Sequence, residues 1–377
     1  MRLTFSALLA LAGGAGAATP EGTAPERARQ GLLASPFAGL TVTPDLRPMN
    51  CPAPPAPFTG ALDFPSKYEG SGKARDVLNK DAEARGKQAR RPMDELEAGL
   101  SKLSDRYVHG QAAAAACALD WMQAWASADA LLGEANMTGA AVRKWTLAAL
   151  AFHFLKIQDA PGLDAEKMQS VRAWMVRLAD VVIDENDALP AHKRNNHYYW
   201  AGAAVGAAGI ATQNRRLLDW ALANYRHSVA AIDGDGVLPL EMARRARALA
   251  YHAYALQPLV MLAEMGRVNG VDLYAERDCA LCRLVKRVAA GLQDPSWFEQ
   301  RTGAKQVADD NPDGRALIWV PVLARACPQD ETLMKLKTAH QPFVGRRLGG
   351  NLTDVYEHIS KELPHAVKSK ACSHLWR

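Results

Sequence analysis

Residues 95–108 read ELEAGLSKLSDRYV. Apolar side chains at Leu96, Leu100, Leu103 and Tyr107 recur every three or four positions, the spacing that lines one face of an α-helix. The same period runs through most of the chain. ALDWMQAWASADALL (118–132) places Trp121 and Trp125 four apart, and VRKWTLAALAFHFLKI (142–157), VRAWMVRLADVVI (171–183), RRLLDWALANYRHSVAAI (215–232) and EMARRARALAYHAYALQPLVMLAEM (241–265) continue it. Breaks rich in Gly, Pro and Asp separate these segments: DAPGLD, DENDALP and DGDGVLP. Alternating, β-branched runs are nearly absent, so the class is all-α. About ten helices on short loops imply stacked antiparallel hairpins, in a solenoid, a bundle or a closed toroid. No strict repeat is visible, which counts against a regular solenoid.

The 377 residues are 49% hydrophobic, enough for one large core or two smaller ones. The N-terminus, MRLTFSALLALAGGAGAATP, has one Arg, a short apolar run and small residues at Ala15-Gly16-Ala17. It reads as a secretory signal over residues 1–17, cut after Ala17 or Ala18, and implies an exported, periplasmic protein. The apolar run falls short of the roughly 20 residues that span a bilayer, so no membrane insertion is expected. Residues 18–64, rich in Pro, Gly and Ala, read as an irregular arm leading into a single domain over 18–377. Six cysteines fit an oxidising compartment but are too sparse for a disulfide scaffold. A bridge between Cys51, in the Pro-rich NCPAPPAPF, and Cys117 would pin that arm to the body. Cys279 and Cys282 form a CxxC without further metal ligands at tight spacing, so a structural role is expected and the pairing of these two, Cys327 and Cys372 stays open. The net charge of +5 comes with no basic run or nucleic-acid motif, and no nucleic-acid partner is expected. A basic groove for an acidic polymer suits an exported protein better.

Three segments carry chemistry. KRNNHYYW (193–200) puts Asn195, Asn196 and His197 beside Tyr198, Tyr199 and Trp200: hydrogen-bonding groups next to flat rings, suited to a sugar and a carboxylate. In EMARRARALAYHAY (241–254), a continuous helix would bring Arg244, Arg247, Tyr251 and Tyr254 onto one face, with His252 on another as a structural histidine. By itself that stripe reads equally as a surface helix with snorkelling arginines. FPSKYEGSGKAR (64–75) interleaves Lys67, Tyr68 and Lys73 with Gly70 and Gly72, the composition of a cationic flap and also of an ordinary exposed loop.

Taken with CPAPPAPFTGALDFPSKYEGS, ACALDWMQAWASADAL, RKW, NNHYYWA, RRARALAYHAYAL and RLGG, in that order, these segments make the chain resemble the alginate lyases of polysaccharide lyase family 5. The resemblance implies a periplasmic enzyme with an incomplete α/α toroid, acting without metal or cofactor on an anionic polysaccharide, and expected to be a monomer. It assigns Asn196 and His197 to the substrate carboxylate, Arg247 to the active-site arginine and Tyr254 to the catalytic tyrosine. Lys67 and Tyr68 match the flap, Arg347 the RLGG arginine, and Cys51 and Cys117 a cysteine pair of the family. Tyr198, Trp200, Arg244 and Tyr251 complete the expected sugar-binding set.

Such a lyase removes the proton on carbon 5 of a uronate and expels the oxygen on carbon 4. Asn196, His197 and Arg247 would neutralise the carboxylate as it gains enolate character. Tyr254 would need a lowered pKa to act as base, with Arg247 as the expected cause. The chain departs from the family pattern at Tyr198, where Ser is common, at Ala203, where a second Trp is common, and at Arg346, an extra charge beside Arg347. These positions line the expected walls of the site, so polyglucuronate or hyaluronate stand beside polymannuronate as substrates. The alternative is a non-catalytic polyuronate-binding scaffold of a secretion apparatus.

Overall fold

A computed structural model describes residues 31–68, 77–307, 317–326 and 330–359. The expected signal segment, Lys73, Cys327 and Cys372 lie outside them. Helices α1 (Lys80–Ala89), α2 (Arg91–Val108), α3 (Ala112–Ser127), α4 (Met137–Ile157), α5 (Ala165–Asp187), α6 (Asn196–Ala211) and α7 (Arg215–Val229) follow one another closely. A short α8 (Pro239–Met242) leads into α9 (Ala248–Val268), then α10 (Glu276–Gln293), α11 (Ser296–Thr302), α12 (Val320–Ala326) and α13 (Glu331–His340). A two-stranded hairpin, β1 (Val344–Gly345) and β2 (Gly350–Asn351), precedes α14 (Leu352–His358). The all-α expectation holds.

Which helices lie inside follows from their sequences. A helix that is apolar all round must be wrapped on every side. α4, α6 and α9 are of this kind, and α4 packs on α6 and α6 on α9. α2, α7 and α10 carry one apolar stripe and one charged face, as helices with a solvent side do. The hairpins α2–α3, α4–α5, α6–α7 and α9–α10 thus form an α/α toroid with α2, α4, α6 and α9 as the inner wall. α12 packs on α9, and α14 packs on both α12 and α2, so the C-terminal elements span the gap between the first and last inner helices. The glycines of α6 permit its close packing. A Cβ on Gly202 would lie 2.3 Å from Asn224 of α7, and one on Gly206 would lie 2.9 Å from the Cβ of Ala221.

The arm is irregular but well anchored. Leu33, Phe37, Leu62 and Phe64 are buried, and the Trp121 and Trp125 indoles donate to the carbonyls of Pro52 (2.7 Å) and Pro55 (3.0 Å). Cys51 and Cys117 are disulfide-bonded across a sequence separation of 66, which in the chain-entropy account contributes about 4 kcal/mol. Cys279 is also disulfide-bonded, and Cys282 is buried.

Two buried histidines pin the segments that matter below. The Nε2 of His252 accepts the Leu238 N–H (2.9 Å) and its Nδ1–H donates to the Ala248 carbonyl (2.7 Å). His153 contacts the Arg346 carbonyl through Nε2 (2.8 Å) and the Ser104 hydroxyl through Nδ1 (2.8 Å). Burial pushes both down to about 4. The unfolded chain therefore binds more protons than the folded one between pH ~6.5 and ~4, and each histidine removes on the order of 3 kcal/mol of stability as pH falls through that window. Buried Glu241, pushed up to about 7 mainly by burial, acts with opposite sign. Its carboxylate costs the fold a similar amount above pH ~7, relieved below ~4.5. The net expectation is a loss on the order of 3 kcal/mol between about pH 7 and about pH 4. Urea titrations at the two values check it; an unchanged or higher midpoint in acid contradicts it.

Candidate active site

Exceptions to burial on the inner helices mark the cleft. On α6 every residue is buried except His197, and Trp145 breaks the buried run of α4. Tyr251, Tyr254 and Gln257 are half-buried on α9 at intervals of three. The His197 and Trp145 rings lie 5.5 Å apart, and Trp200 and Tyr254 lie 5.3 Å apart, joining α4, α6 and α9 around one place.

The two amides of NNH divide the work. Asn195 is the N-cap of α6, its side-chain oxygen accepting the His197 backbone N–H at 3.1 Å. Asn196, fully buried, turns both of its N–H groups to Glu241 of α8: the backbone N–H donates to Oε1 at 2.7 Å and Nδ2 to Oε2 at 3.0 Å. Helix geometry sends Tyr198 the other way. Its ring packs on Trp220 (6.1 Å) and His227 (5.4 Å) of α7, with the Arg194 guanidinium 5.0 Å over it. The structure therefore takes Tyr198 out of the sugar-binding set.

The continuous helix expected over 241–254 is broken. Arg245–Arg247 form a 3₁₀ turn, with Arg245 in the left-handed region at φ 51°, and α9 begins only at Ala248. The cause is tertiary: the Arg245 carbonyl accepts from Gln306 Nε2 (3.0 Å) and the Ala246 carbonyl from the Val307 N–H (2.8 Å). Arg244 and Arg247 thus precede the helix that carries Tyr251 and Tyr254. Arg244 stacks 3.8 Å over the Tyr251 ring and 5.4 Å over that of Tyr68. The Tyr68 and Tyr251 hydroxyls meet at 2.7 Å, and the Lys67 ammonium lies 5.2 Å over Tyr68. The described start of the flap is therefore docked on α9. Burial works to raise the Tyr68 phenol, but the Tyr251 hydrogen bond and the charges of Lys67, Arg244 and Arg247 outweigh it, and its pKa is lowered. Tyr251 is pushed up by burial.

Tyr254 differs from expectation. Burial pushes its pKa above the ordinary phenol range, and the cation opposing that rise is Arg347, not Arg247, helped by the Trp145 indole. Arg347 lies 4.4 Å over the Trp145 ring and donates from Nε to Glu97 Oε2 at 3.1 Å. Glu97, nearly fully buried on α2, also receives Arg346 Nε (3.1 Å) and the Thr146 hydroxyl (3.2 Å). The Arg346–Arg347 turn is held from behind by His153 on the Arg346 carbonyl and by Lys156, which donates to the Gly349 carbonyl (2.7 Å) and pairs with Asp105. Arg346 itself reaches Asp94 at 2.7 Å.

The geometry brings together Asn196, His197, Trp200, Tyr254 and Arg347, with Lys67, Tyr68, Arg244, Arg247 and Tyr251 at its edge. Sequence reasoning missed Glu241, Glu97 and Trp145. Glu241 looks like an ordinary acid in a helical first turn, Glu97 like one more charge within an amphipathic helix, and Trp145 like one more core aromatic; only RKW hinted at it.

The chain matches the alginate lyase family model over residues 63–298. An alginate lyase of Cobetia marina is 42% identical over 313 residues, covering 81% of this chain and 84% of its own. One of Pseudomonas fluorescens is 43% identical over 314 residues, with the same two coverages. In fold, the chain is similar to the crystal structure of alginate lyase A1-III from Sphingomonas species A1, with a TM-score of 0.71 and 24% identity over 88% of this chain and 93% of that one. A tetrasaccharide complex of the same lyase aligns with a TM-score of 0.74. With the family match spanning most of the toroid and relatives above 40% identity along four fifths of the chain, this protein belongs to the alginate lyase family of polysaccharide-cleaving enzymes.

Proposed function

We propose that this chain cleaves alginate at mannuronate residues by β-elimination, with Tyr254 carrying the proton. The observation that carries the reading is the convergence of His197, Tyr254, Arg347 and Trp145 where side chains of α4, α6 and α9 leave the buried wall, in a chain of this family. The proton on carbon 5 is α to a carboxylate and barely acidic until that carboxylate is neutralised. Asn196 and His197 supply donors for it, and Arg247 supplies charge from the site edge. Tyr254 takes the proton as phenolate, the freed pair forms the double bond between carbons 4 and 5, and the carbon 4–oxygen bond breaks. In mannuronate the departing proton and oxygen share a face of the ring, so the same phenol returns its proton to the leaving oxygen. Arg347 opposes the burial that holds Tyr254 protonated, and Glu97 aims Arg347.

The tetrasaccharide seen on the A1-III lyase supports a polymeric substrate here too. Export to the periplasm through the N-terminal signal, a single domain over 18–377 and action as a monomer complete the reading. The non-catalytic scaffold is not favoured, because the family match comes with an intact set of donors and a proton carrier. Ultraviolet absorbance from the conjugated double bond, followed with polymannuronate, polyguluronate, polyglucuronate and hyaluronate, tests the reading. The fastest rise is expected on polymannuronate. No rise on any of the four would remove the enzyme reading, and a faster rise on another polymer would reassign the sugar.

A further inference from the structure

We propose that Glu241 is a positioning residue for the elimination: it fixes the Asn196 amide with its NH2 end available to the substrate carboxylate. This rests on the function proposed above. A fully buried carboxylate is costly unless its partners repay the lost hydration. Glu241 has no exposed surface, and both of its oxygens bond to a single residue, Asn196. An amide nitrogen carries two protons. Glu241 Oε2 takes one, at 3.0 Å, which leaves the other for an incoming anion.

The polarity of that contact decides the outcome. A primary amide is nearly symmetric in shape, so packing alone hardly distinguishes its two ends, whereas the ionised Glu241 carboxylate only accepts and so admits only the NH2 end. Without it the amide could turn its oxygen toward the uronate carboxylate and repel the group it should stabilise. The second bond, from the Asn196 backbone N–H at 2.7 Å, makes the carboxylate also an anion at the start of α6. That is the competing role: a helix-end anion with no part in turnover. Glu241 is itself well held. α8 is anchored through Leu238, whose N–H donates to His252 on α9, and Arg244 adds a favourable charge. The carboxylate thus ties the start of α6 to the segment that precedes α9.

Glu241→Gln separates the two roles. The glutamine oxygen can still accept the backbone N–H, but its own NH2 then opposes the NH2 of Asn196, and one amide must turn over. Turnover on polymannuronate is expected to fall at least about tenfold with KM within about threefold, because donors that grip the developing dianion act mainly in the transition state. The cycle with Asn196→Ala carries the specificity of the claim. If Glu241 acts through Asn196, the double variant is no slower than Asn196→Ala alone. Glu241→Asp, which keeps a negative charge near the helix start and withdraws it by one methylene, should lose turnover while keeping the thermal midpoint near wild type. Three outcomes overturn the proposal: turnover of Glu241→Gln within threefold of wild type, losses that multiply in the double variant, or activity lost in both Glu241 variants only because neither folds. Wild-type protein inactive on every uronate would instead remove the function on which the inference rests.

Discussion

Tyr254→Phe is expected to lower turnover on polymannuronate by at least about a hundredfold, the usual scale for losing general acid–base catalysis, while polymer binding and the circular dichroism of the fold persist. The substitution removes one oxygen from a half-buried ring that keeps its packing on Trp200. Tyr251→Phe is the control. Its hydroxyl is engaged with Tyr68 at 2.7 Å, so its loss should loosen the docked edge of the site and slow the enzyme less. If Tyr254→Phe stays near full activity while Tyr251→Phe is inactive, the proton carrier is Tyr251. Steady-state rates with dissociation constants for the polymer check both.

The second large effect concerns which arginine serves the phenol. Arg347→Ala takes away the main charge opposing the burial of Tyr254 and leaves Glu97 without one of its two arginines. The Tyr254 pKa, already above the ordinary phenol range, should rise further. Because the base must be ionised, the limb of kcat/KM that rises with pH should move to higher pH, and turnover near neutrality should drop about a hundredfold. Arg247→Ala should weaken substrate use without moving that limb, since its charge falls on Tyr68. A limb shifted by Arg247→Ala and left in place by Arg347→Ala would return the role to Arg247. The contrast is read directly from pH–rate profiles of the two variants.

The helical class was legible because period and composition marked each helix, but periodicity left solenoid, bundle and toroid open, and the toroid followed only from the family resemblance. In the structure α4, α6 and α9 of the inner wall are apolar on nearly all sides, whereas α2 carries a single stripe. The site was legible only where function depends on residues adjacent in sequence. NNH showed its chemistry because a helix start needs a cap and the next two residues face inward. The aromatic run was over-read: at 100° per residue, Tyr198 cannot share a face with both His197 and Trp200, and the helical period itself contained that signal. The break at Arg245–Arg247 was not legible. Arg and Ala are good helix formers, and it is Gln306 and Val307, distant in sequence, that draw those carbonyls away. The pairing of Arg347 with Tyr254 was hidden for the same reason, since a hairpin turn far along the chain delivers the cation. Glu241 looked like any acid in a helical first turn until its burial and its two bonds to Asn196 were seen.

The central claim is elimination rather than hydrolysis, and the mass of the products formed in oxygen-18 water tests it most directly. Elimination consumes no water. Each new non-reducing end should therefore be lighter by one water than a hydrolysed one, absorb in the ultraviolet, and show no label from the cleavage step once carbonyl exchange at the reducing end is blocked by reduction. Saturated products carrying one oxygen-18 per cleavage would contradict the account.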